Sequence, residues 1–351
     1  MGVKQRVQVG RRVIFWFVAL FGALVGLGCV CVPQDSTQSG SRSHPARVAV
    51  LNLGYGYRGD FLGQEDCIGL TTTAREWEHA ATMLEDAGVD IVVIRWSSPG
   101  GSTREAMQIG CVLRDQFASK FRVIAWVQRA KSAAVLPLLC VRDWCFDEHG
   151  VVDGTPGWVG EADCSSFDSL GQTQPDDELQ FAEQTCLPQR NRALWGSMRC
   201  GIDTSVSAAP DGSIQWRSDA EGDEVLSPKG HPLQLRAGNA ERLRLTIGTA
   251  SDLRGVLACA GIERWEPCGA EAAAYLDRRA LERAESNHRV ERLRWSAEAE
   301  TGGKPEGLED YCKRRLPMAD PGLFAELQQL ARHDEDLLRR NCLDPAWFAA
   351  P

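Results

Sequence analysis

Two short turns carry the residues of this sequence that are best suited to chemistry. The first, Ser98-Pro99-Gly100-Gly101, stands between an apolar β-branched run and a segment with helical periodicity. Consecutive glycines before a helix tolerate positive φ angles and present unpaired backbone N–H groups. Such donors stabilise the oxyanion of a tetrahedral intermediate, each by on the order of 3–4 kcal/mol. The turn is therefore a candidate oxyanion hole.

The second turn, Lys131-Ser132-Ala133-Ala134, follows the next apolar run along the chain. A serine that opens a helix there exposes its hydroxyl near the positive end of the helix dipole, and its small neighbours leave room for an acyl group. Ser132 is therefore the candidate nucleophile. Taken singly, both turns have an ordinary structural explanation, because Pro-Gly-Gly turns are common and a serine at this position is more often a helix cap.

The segments around the two turns alternate between strand and helix patterns. Strands are predicted over Arg47–Leu53, Ile91–Ile94 and Phe121–Val127, with a helix after each of them. The first helix opens with a capping box of Thr73 and Glu76, the second with Ser102 and Glu105, and the third is a short apolar helix over Ser132–Val141. The alternation predicts an α/β domain whose mostly parallel sheet gathers both turns at one edge.

The remainder of the chain has weaker patterns. Residues 161–185 are polar and indicate an irregular surface insertion. Further predictions are a helix over Gln189–Met198, a hairpin of Ser213–Trp216 with Val225–Leu226, and short helices over Ala240–Leu243 and Ser251–Leu257. From Gly269 the composition shifts to Ala, Glu, Arg and Leu, which predicts a helical appendage with a solvated charged face.

Taken together and in this order, the turns resemble those of the ClpP/crotonase-like superfamily. The stretches IVVIRWSSPGGSTREAMQIGCVL, VIAWVQRAKSAAVLPLLCVRD and GTPGWVGEA, and the segment over residues 225–262, are similar to SppA (signal peptide peptidase A) and NfeD-type membrane serine peptidases. The resemblance covers roughly residues 47–265 and implies a layered α/β domain of repeated β-β-α units. It also implies that Ser132 is the nucleophile and that the amides of Gly100, Gly101 and Ala133 bind the oxyanion.

The general base does not map cleanly onto the sequence. SppA and NfeD-type enzymes use a lysine, yet no lysine stands between Ser132 and Pro228. Lys131 adjoins the nucleophile, although neighbouring side chains at such a turn usually diverge, and Lys229 precedes a predicted helix. His149 and His231 are the histidine alternatives, and His149 stands beside Asp147 and Glu148 in a candidate Ser-His-acid arrangement.

The first thirty residues predict export. Lys4, Arg6, Arg11 and Arg12 precede an apolar run over Val13–Gly28, as in a signal peptide. Gly26-Leu27-Gly28-Cys29 resembles a bacterial lipobox, in which Cys29 would be lipidated, whereas Val13–Val32 is long enough for an uncleaved anchor. Either route tethers the domain outside the cytoplasm, in a bacterial cell envelope. The expected organisation is an export signal over 1–32, a flexible linker over 33–46, a peptidase domain over 47–265 and the helical appendage over 266–351.

Charge and cysteine content narrow the class of partner. The net charge is −9, and it falls to about −13 without the cationic signal segment, which disfavours nucleic acid. No motif indicates a metal or nucleotide cofactor. Thirteen cysteines in an exported chain favour disulfides, with Cys259–Cys268 as the first candidate for a local bridge, while Cys111 and Cys140 fit small buried hydrophobes.

Two functions follow from this sequence. The first is an envelope-tethered serine peptidase that cuts peptides or membrane-protein remnants and self-associates as its relatives do. The second is a catalytically degenerate scaffold that serves as a binding or assembly module, which the missing downstream lysine favours. A crotonase-like acyl-CoA enzyme would share the oxyanion chemistry, but export and an acidic surface argue against a CoA substrate.

Overall fold

A mostly parallel β-sheet forms the centre of the molecule. The computed structural model describes residues 44–54, 67–154, 175–199, 201–301, 305–341 and 343–348. The predicted export signal with Cys29, and the linker up to residue 43, lie outside these ranges. The sheet strands are β1 (Ala46–Leu53), β2 (Ile91–Ser98), β3 (Arg122–Lys131), β4 (Asp143–Asp153), β8 (Gln234–Arg236), β9 (Gly248–Thr249) and β10 (Trp265–Pro267).

The order of the sheet is β10-β1-β2-β3-β4-β8, with β9 paired to β4. All neighbours are parallel except β8, which runs antiparallel to β4. Strands β1, β2 and β3 are the predicted ones: β1 begins one residue earlier, β2 ends four residues later, and β3 runs from Arg122 rather than Phe121 to Lys131. The expected α/β class is confirmed. Helical connections join β1 to β2 and β2 to β3, so these strands end at the same edge.

Both faces of the sheet are buried, as the continuous β-branched runs predict. Successive residues of a strand point to opposite faces, so Val92 and Ile94 enter one core whereas Ile91 and Val93 enter the other. The larger core is closed by α1 (Ala74–Asp86), by α2 (Thr103–Val112) with its π-helical extension, and by α3 (Val135–Leu138). The smaller core is closed by α7 (Leu253–Cys259). The sheet is therefore the middle of three layers.

The helix that follows Ser132 is shorter than expected. Residues Ser132–Ala134 form a 3-10 turn, and α3 ends at Leu138 rather than at Val141. Pro137 is accommodated because it stands in the first turn of α3, where a backbone N–H has no partner within the helix. The prediction of one helix over Ser132–Val141 was therefore wrong in its type and length.

The region between β4 and β8 contains two helices and three strands: α4 (Pro175–Glu183), α5 (Pro188–Met198), β5 (Thr204–Ala208), β6 (Ile214–Arg217) and β7 (Glu224–Ser227). Helix α6 (Ala237–Arg242) begins directly after β8. Residues 175–183 were expected to be irregular, but α4 buries Phe181 and Ala182 in the larger core. The expected hairpin of β6 and β7 is also wrong, since both strands pair with β5 in the order β6-β5-β7. Helix α5 agrees with its prediction.

Two local predictions fail, namely the capping role of Thr73 and a bridge between Cys259 and Cys268. Thr73 occupies the N-cap of α1, but its side chain makes no capping hydrogen bond. The carboxylate of Glu105 accepts the Ala74 N–H instead, over 2.6 Å. Cys259 and Cys268 are free thiols and make no bridge. Cys140 is buried, as expected of a small hydrophobe, whereas Cys111 is only half-buried and packs against the larger core.

The predicted helical appendage is present. It comprises α8 (Ala270–Thr301), α9 (Pro305–Asp310), α10 (Pro321–His333), α11 (Glu335–Arg340) and shorter turns between and after them. Its own apolar core includes Val290, Leu293, Leu327, Leu338 and Phe348. The first turns of α8 pack into the larger core of the sheet through Ala272 and Leu276. Of the helices in the described ranges, none has the length and apolar character needed to cross a membrane.

Candidate active site

The register of the sheet places the two predicted turns side by side. Strands β2 and β3 are parallel neighbours, and Ser98 at the end of β2 pairs with Ala130 near the end of β3. The residues that follow each strand therefore leave the sheet at the same edge and at the same level. This edge is where parallel α/β sheets place their ligand sites.

Gly100 and Ser132 are in direct contact. A Cβ atom added to Gly100 would lie 2.8 Å from the Ser132 Cβ, 3.0 Å from the Lys131 carbonyl oxygen and 3.3 Å from the Ala133 nitrogen. No side chain fits in that space, and the φ angle of Gly100, 117°, is one that favours glycine. Two of the residues predicted to form the oxyanion hole, Gly100 and Ala133, thus meet beside the candidate nucleophile.

Ser132 has a strained backbone conformation. Its φ angle is +50°, a value that few residues other than glycine adopt, and its side chain is half-buried at the end of β3. Positive φ at a strand-to-helix turn is also the geometry that lifts the nucleophilic serine out of the sheet in α/β-hydrolases. Strain of this kind costs about 1–3 kcal/mol and persists only where the surroundings enforce it.

Two contacts from neighbouring elements hold the turns in place. The fully buried indole of Trp96 in β2 donates from its Nε1 to the Ala134 carbonyl oxygen over 3.2 Å, which fixes the 3-10 turn after Ser132. The fully buried Ile68 holds the glycine turn, since its N–H donates to the Gly100 carbonyl and its carbonyl accepts from the Ser102 N–H. Neither residue was singled out in the sequence, and only their apolar character was readable there.

The amides around Ser132 are not equivalent. The Gly100 N–H donates to the Ser98 hydroxyl over 3.3 Å, so it is engaged within its own turn. The amides of Gly101 and Ala133 have no acceptor among the described residues. Gly101 is exposed, and its position requires glycine, because its φ is 136° and a Cβ there would overlap the Ile68 carbonyl oxygen. The amides without an acceptor in the described ranges are therefore those of Gly101, which is exposed, and Ala133, which is buried.

The four candidate bases lie in different places. Lys131 ends β3 beside Ser132 and pairs in register with Asp153 of β4. His149 is exposed in the irregular part of β4 between Phe146 and Val151, set back from the strand end. Lys229 and His231 are exposed in the loop between β7 and β8, where the Lys229 N–H donates to Asp203.

The Ser132 hydroxyl makes no hydrogen bond with any residue that the structure describes. Ser132, Lys131, Gly100, Gly101 and Ala133 thus belong to two adjoining turns, whereas His149, Lys229 and His231 belong to other segments, namely β4 and the loop before β8. In the described ranges there is no group of three or more His, Cys, Asp or Glu side chains arranged to hold a metal ion.

Comparison with known proteins gives a distant structural likeness. No protein-family model matches the sequence, and no curated protein matches it. Among solved structures, this chain is similar to an alanine mutant of the 1510-N membrane-bound stomatin-specific protease in complex with a substrate peptide. The two sequences are 14% identical, the TM-score is 0.40, and the match covers 61% of this chain and 79% of that one. A second alanine mutant of the same protease gives 13% identity, a TM-score of 0.40, and coverage of 62% and 84%. At these scores the likeness assigns neither a family nor an activity.

Substitution of Gly100 tests the contact on which the site depends. We expect Gly100→Ala to displace Ser132 and Ala133, because the new Cβ would overlap the Ser132 Cβ. Any activity that depends on Ser132 should fall by about 100-fold, as for a misplaced reacting group. The matched control is Gly238→Ala in α6, where a Cβ meets nothing within 4 Å. Equal labelling of Ser132 by a fluorophosphonate probe in the two variants would contradict the expectation.

Proposed function

We propose that this chain is a serine peptidase of the ClpP-like type, of SppA or NfeD character, that cleaves peptide bonds by acyl transfer through Ser132. The observation that carries the proposal is the contact between the two turns: a serine with positive φ adjoins a glycine turn in which the Gly101 amide has no acceptor among the described residues. Acyl transfer needs a nucleophile and oxyanion donors on one side of a carbonyl carbon, and this edge of the sheet offers both.

The residues at this edge suit the steps of acyl transfer. The Ser132 oxygen attacks the carbonyl carbon of the peptide while a base accepts the hydroxyl proton. The carbonyl oxygen takes up the negative charge within reach of the Gly101 and Ala133 amides. Collapse of this intermediate breaks the C–N bond, the amine leaves with a proton, and Ser132 retains the acyl group as an ester. Water then attacks the ester and restores the serine.

Lys131 is the first candidate for the base because it belongs to the same turn as Ser132. Its cross-strand neighbour Asp153 already accepts a hydrogen bond from Gln234, at 3.1 Å. Positive φ at Ser132 changes the direction of its side chain relative to a regular strand, so the usual divergence of adjacent side chains need not hold here. An amine base must be unprotonated to accept the proton of the serine hydroxyl.

Replacement of Ser132 by alanine tests the nucleophile. We expect Ser132→Ala to abolish labelling by a fluorophosphonate and to reduce peptide hydrolysis by at least about 1,000-fold, since no acyl-enzyme forms. Ser119→Ala, in the exposed helical turn that follows α2, is the control and should keep full activity. Labelling that persists in Ser132→Ala would remove this serine from the mechanism.

Individual replacement of the four candidate residues tests which of them is the general base. Lys131→Met should reduce kcat by about 100-fold or more, because the proton of the nucleophile then has no acceptor. Lys229→Met, His149→Gln and His231→Gln should stay within about twofold of the parent in the same peptide assay, as they lie outside the turn. Undiminished hydrolysis by Lys131→Met, or a large loss in one of the other three, would assign the base elsewhere.

The second candidate function is a degenerate scaffold that binds peptides without cleaving them. The Ser132 hydroxyl has no hydrogen-bond partner in the described part of the chain, which favours this alternative. The two functions give different results with one preparation of the parent protein. A folded parent that neither reacts with a fluorophosphonate nor cleaves peptides, yet retains a peptide on a column, would identify the scaffold.

We further propose that the domain is tethered to the membrane of a bacterial envelope, outside the cytoplasm, and that it acts there on peptides or membrane-protein remnants as a self-associating protein. The N-terminal sequence supports the tether, because Cys29 follows a cationic and apolar segment.

Cys29→Ser tests the mode of attachment. We expect this variant to lose incorporation of a labelled fatty acid, with Cys31→Ser as the unaffected control. If the parent carries no lipid label and Cys29→Ser stays in the membrane fraction as the parent does, the segment is an uncleaved anchor instead.

A further inference from the structure

The segment Cys67–Thr72 connects the helical appendage to the glycine turn. On one side, the Ile68 N–H donates to the Gly100 carbonyl over 2.9 Å, and the Ser102 N–H donates to the Ile68 carbonyl over 3.0 Å. On the other side, Leu70 packs against the core of the appendage. The segment therefore belongs to both parts of the molecule.

Arg283 of α8 fixes this segment. Its Nε donates to the Leu70 carbonyl over 2.8 Å and its Nη2 to the Gly69 carbonyl over 3.4 Å. Its Nη1 bonds the carboxylate of Asp334, at the junction of α10 and α11. The Arg283 side chain is only 11% exposed, so these contacts form in a partly desolvated environment, where charge-assisted hydrogen bonds are strong.

We propose that Arg283 is a positioning residue for the candidate oxyanion hole, acting through the segment Cys67–Thr72. The planar guanidinium of Arg283 reaches two adjacent carbonyl oxygens and one carboxylate at the same time, which the single ammonium of lysine does not reproduce. Through these contacts the appendage sets the position of Ile68, and Ile68 sets the orientation of the Gly101 amide. This role rests on the proposed peptidase function and gives the C-terminal helices a part in it.

The structure provides a matched control on the same helix. Arg289 also lies on α8 and also pairs with a carboxylate, that of Glu326 on α10, with its Nη2 at 2.6 Å. The hydrogen bonds of Arg289 in the described structure go to Glu326 and Ser286 and not to the segment Cys67–Thr72. Arg283→Met and Arg289→Met therefore both remove an ion pair between α8 and the following helices, and only Arg283→Met releases the glycine turn.

The test measures peptide hydrolysis and amide hydrogen exchange in the full-length protein. For Arg283→Met we expect kcat to fall by about 10- to 100-fold while KM changes by less than about threefold, since the displaced donors act on the transition state. Exchange should accelerate at residues 67–73 and 98–103 and stay unchanged in β3. Arg283→Lys should recover part of kcat, and Asp334→Asn, which keeps the carbonyl contacts, should lose less than Arg283→Met. Arg289→Met should match the parent in both measurements.

Several outcomes would overturn this role. Equal exchange at residues 98–103 in Arg283→Met and Arg289→Met would show that Arg283 does not hold the glycine turn. An equal loss of kcat in those two variants would indicate a general loss of stability. If Arg283→Met does not fold, Arg283→Lys and Asp334→Asn carry the same comparison. A parent that cleaves no peptide refutes the peptidase proposal alone, because hydrogen exchange still decides whether Arg283 positions the turn.

Discussion

The contact between the backbone of Gly100 and the turn at Ser132 is the constraint on which the rest of the site depends. It exists because Gly100 lacks a Cβ, which lets the end of β2 approach the end of β3 to within van der Waals distance. That approach brings the Ala133 nitrogen next to Gly100 and accompanies the positive φ of Ser132. The indole of Trp96 and the backbone of Ile68 hold the two turns from outside. Two buried residues, Trp96 and Ile68, therefore stabilise the turns that contain the strained serine and the glycines.

The central sheet could be predicted from the sequence because its signals are local. Runs such as Ile91–Ile94 are apolar at every position, which is typical of a strand covered on both faces, and the alternation with helices indicates the parallel order. The adjacency of the two turns follows from that order. The positive φ of Ser132 could not be predicted, because no residue type next to Ser132 in the sequence indicates it. It accompanies the contact with Gly100, a residue of another turn.

The failed predictions involve tertiary packing. Helix α4 begins with a proline followed by acidic residues, which is a helix-start pattern that the prediction of an irregular segment missed, and Phe181 packs into the larger core. Thr73 has the side chain of a helix cap, but a carboxylate from α2 takes its place. The contact between Arg283 and Leu70 joins residues 213 positions apart, and neither position carries a distinguishing local pattern. Periodicity is judged over short windows of sequence, so it does not reveal contacts between residues that lie far apart in the chain.

Helix α8 has a thermodynamic consequence for the whole described unit. It is a single helix of 32 residues, roughly 48 Å long, whose first turns are buried against the sheet and whose later turns form the centre of the second core. One continuous helix therefore links the two cores, with Ala272 and Leu276 in the first and Val290 and Leu293 in the second. Unfolding of the distal bundle that frays α8 back to Ala272 would uncover part of the sheet's larger core, so the stability of the strands that precede the serine depends on how far along α8 such fraying extends.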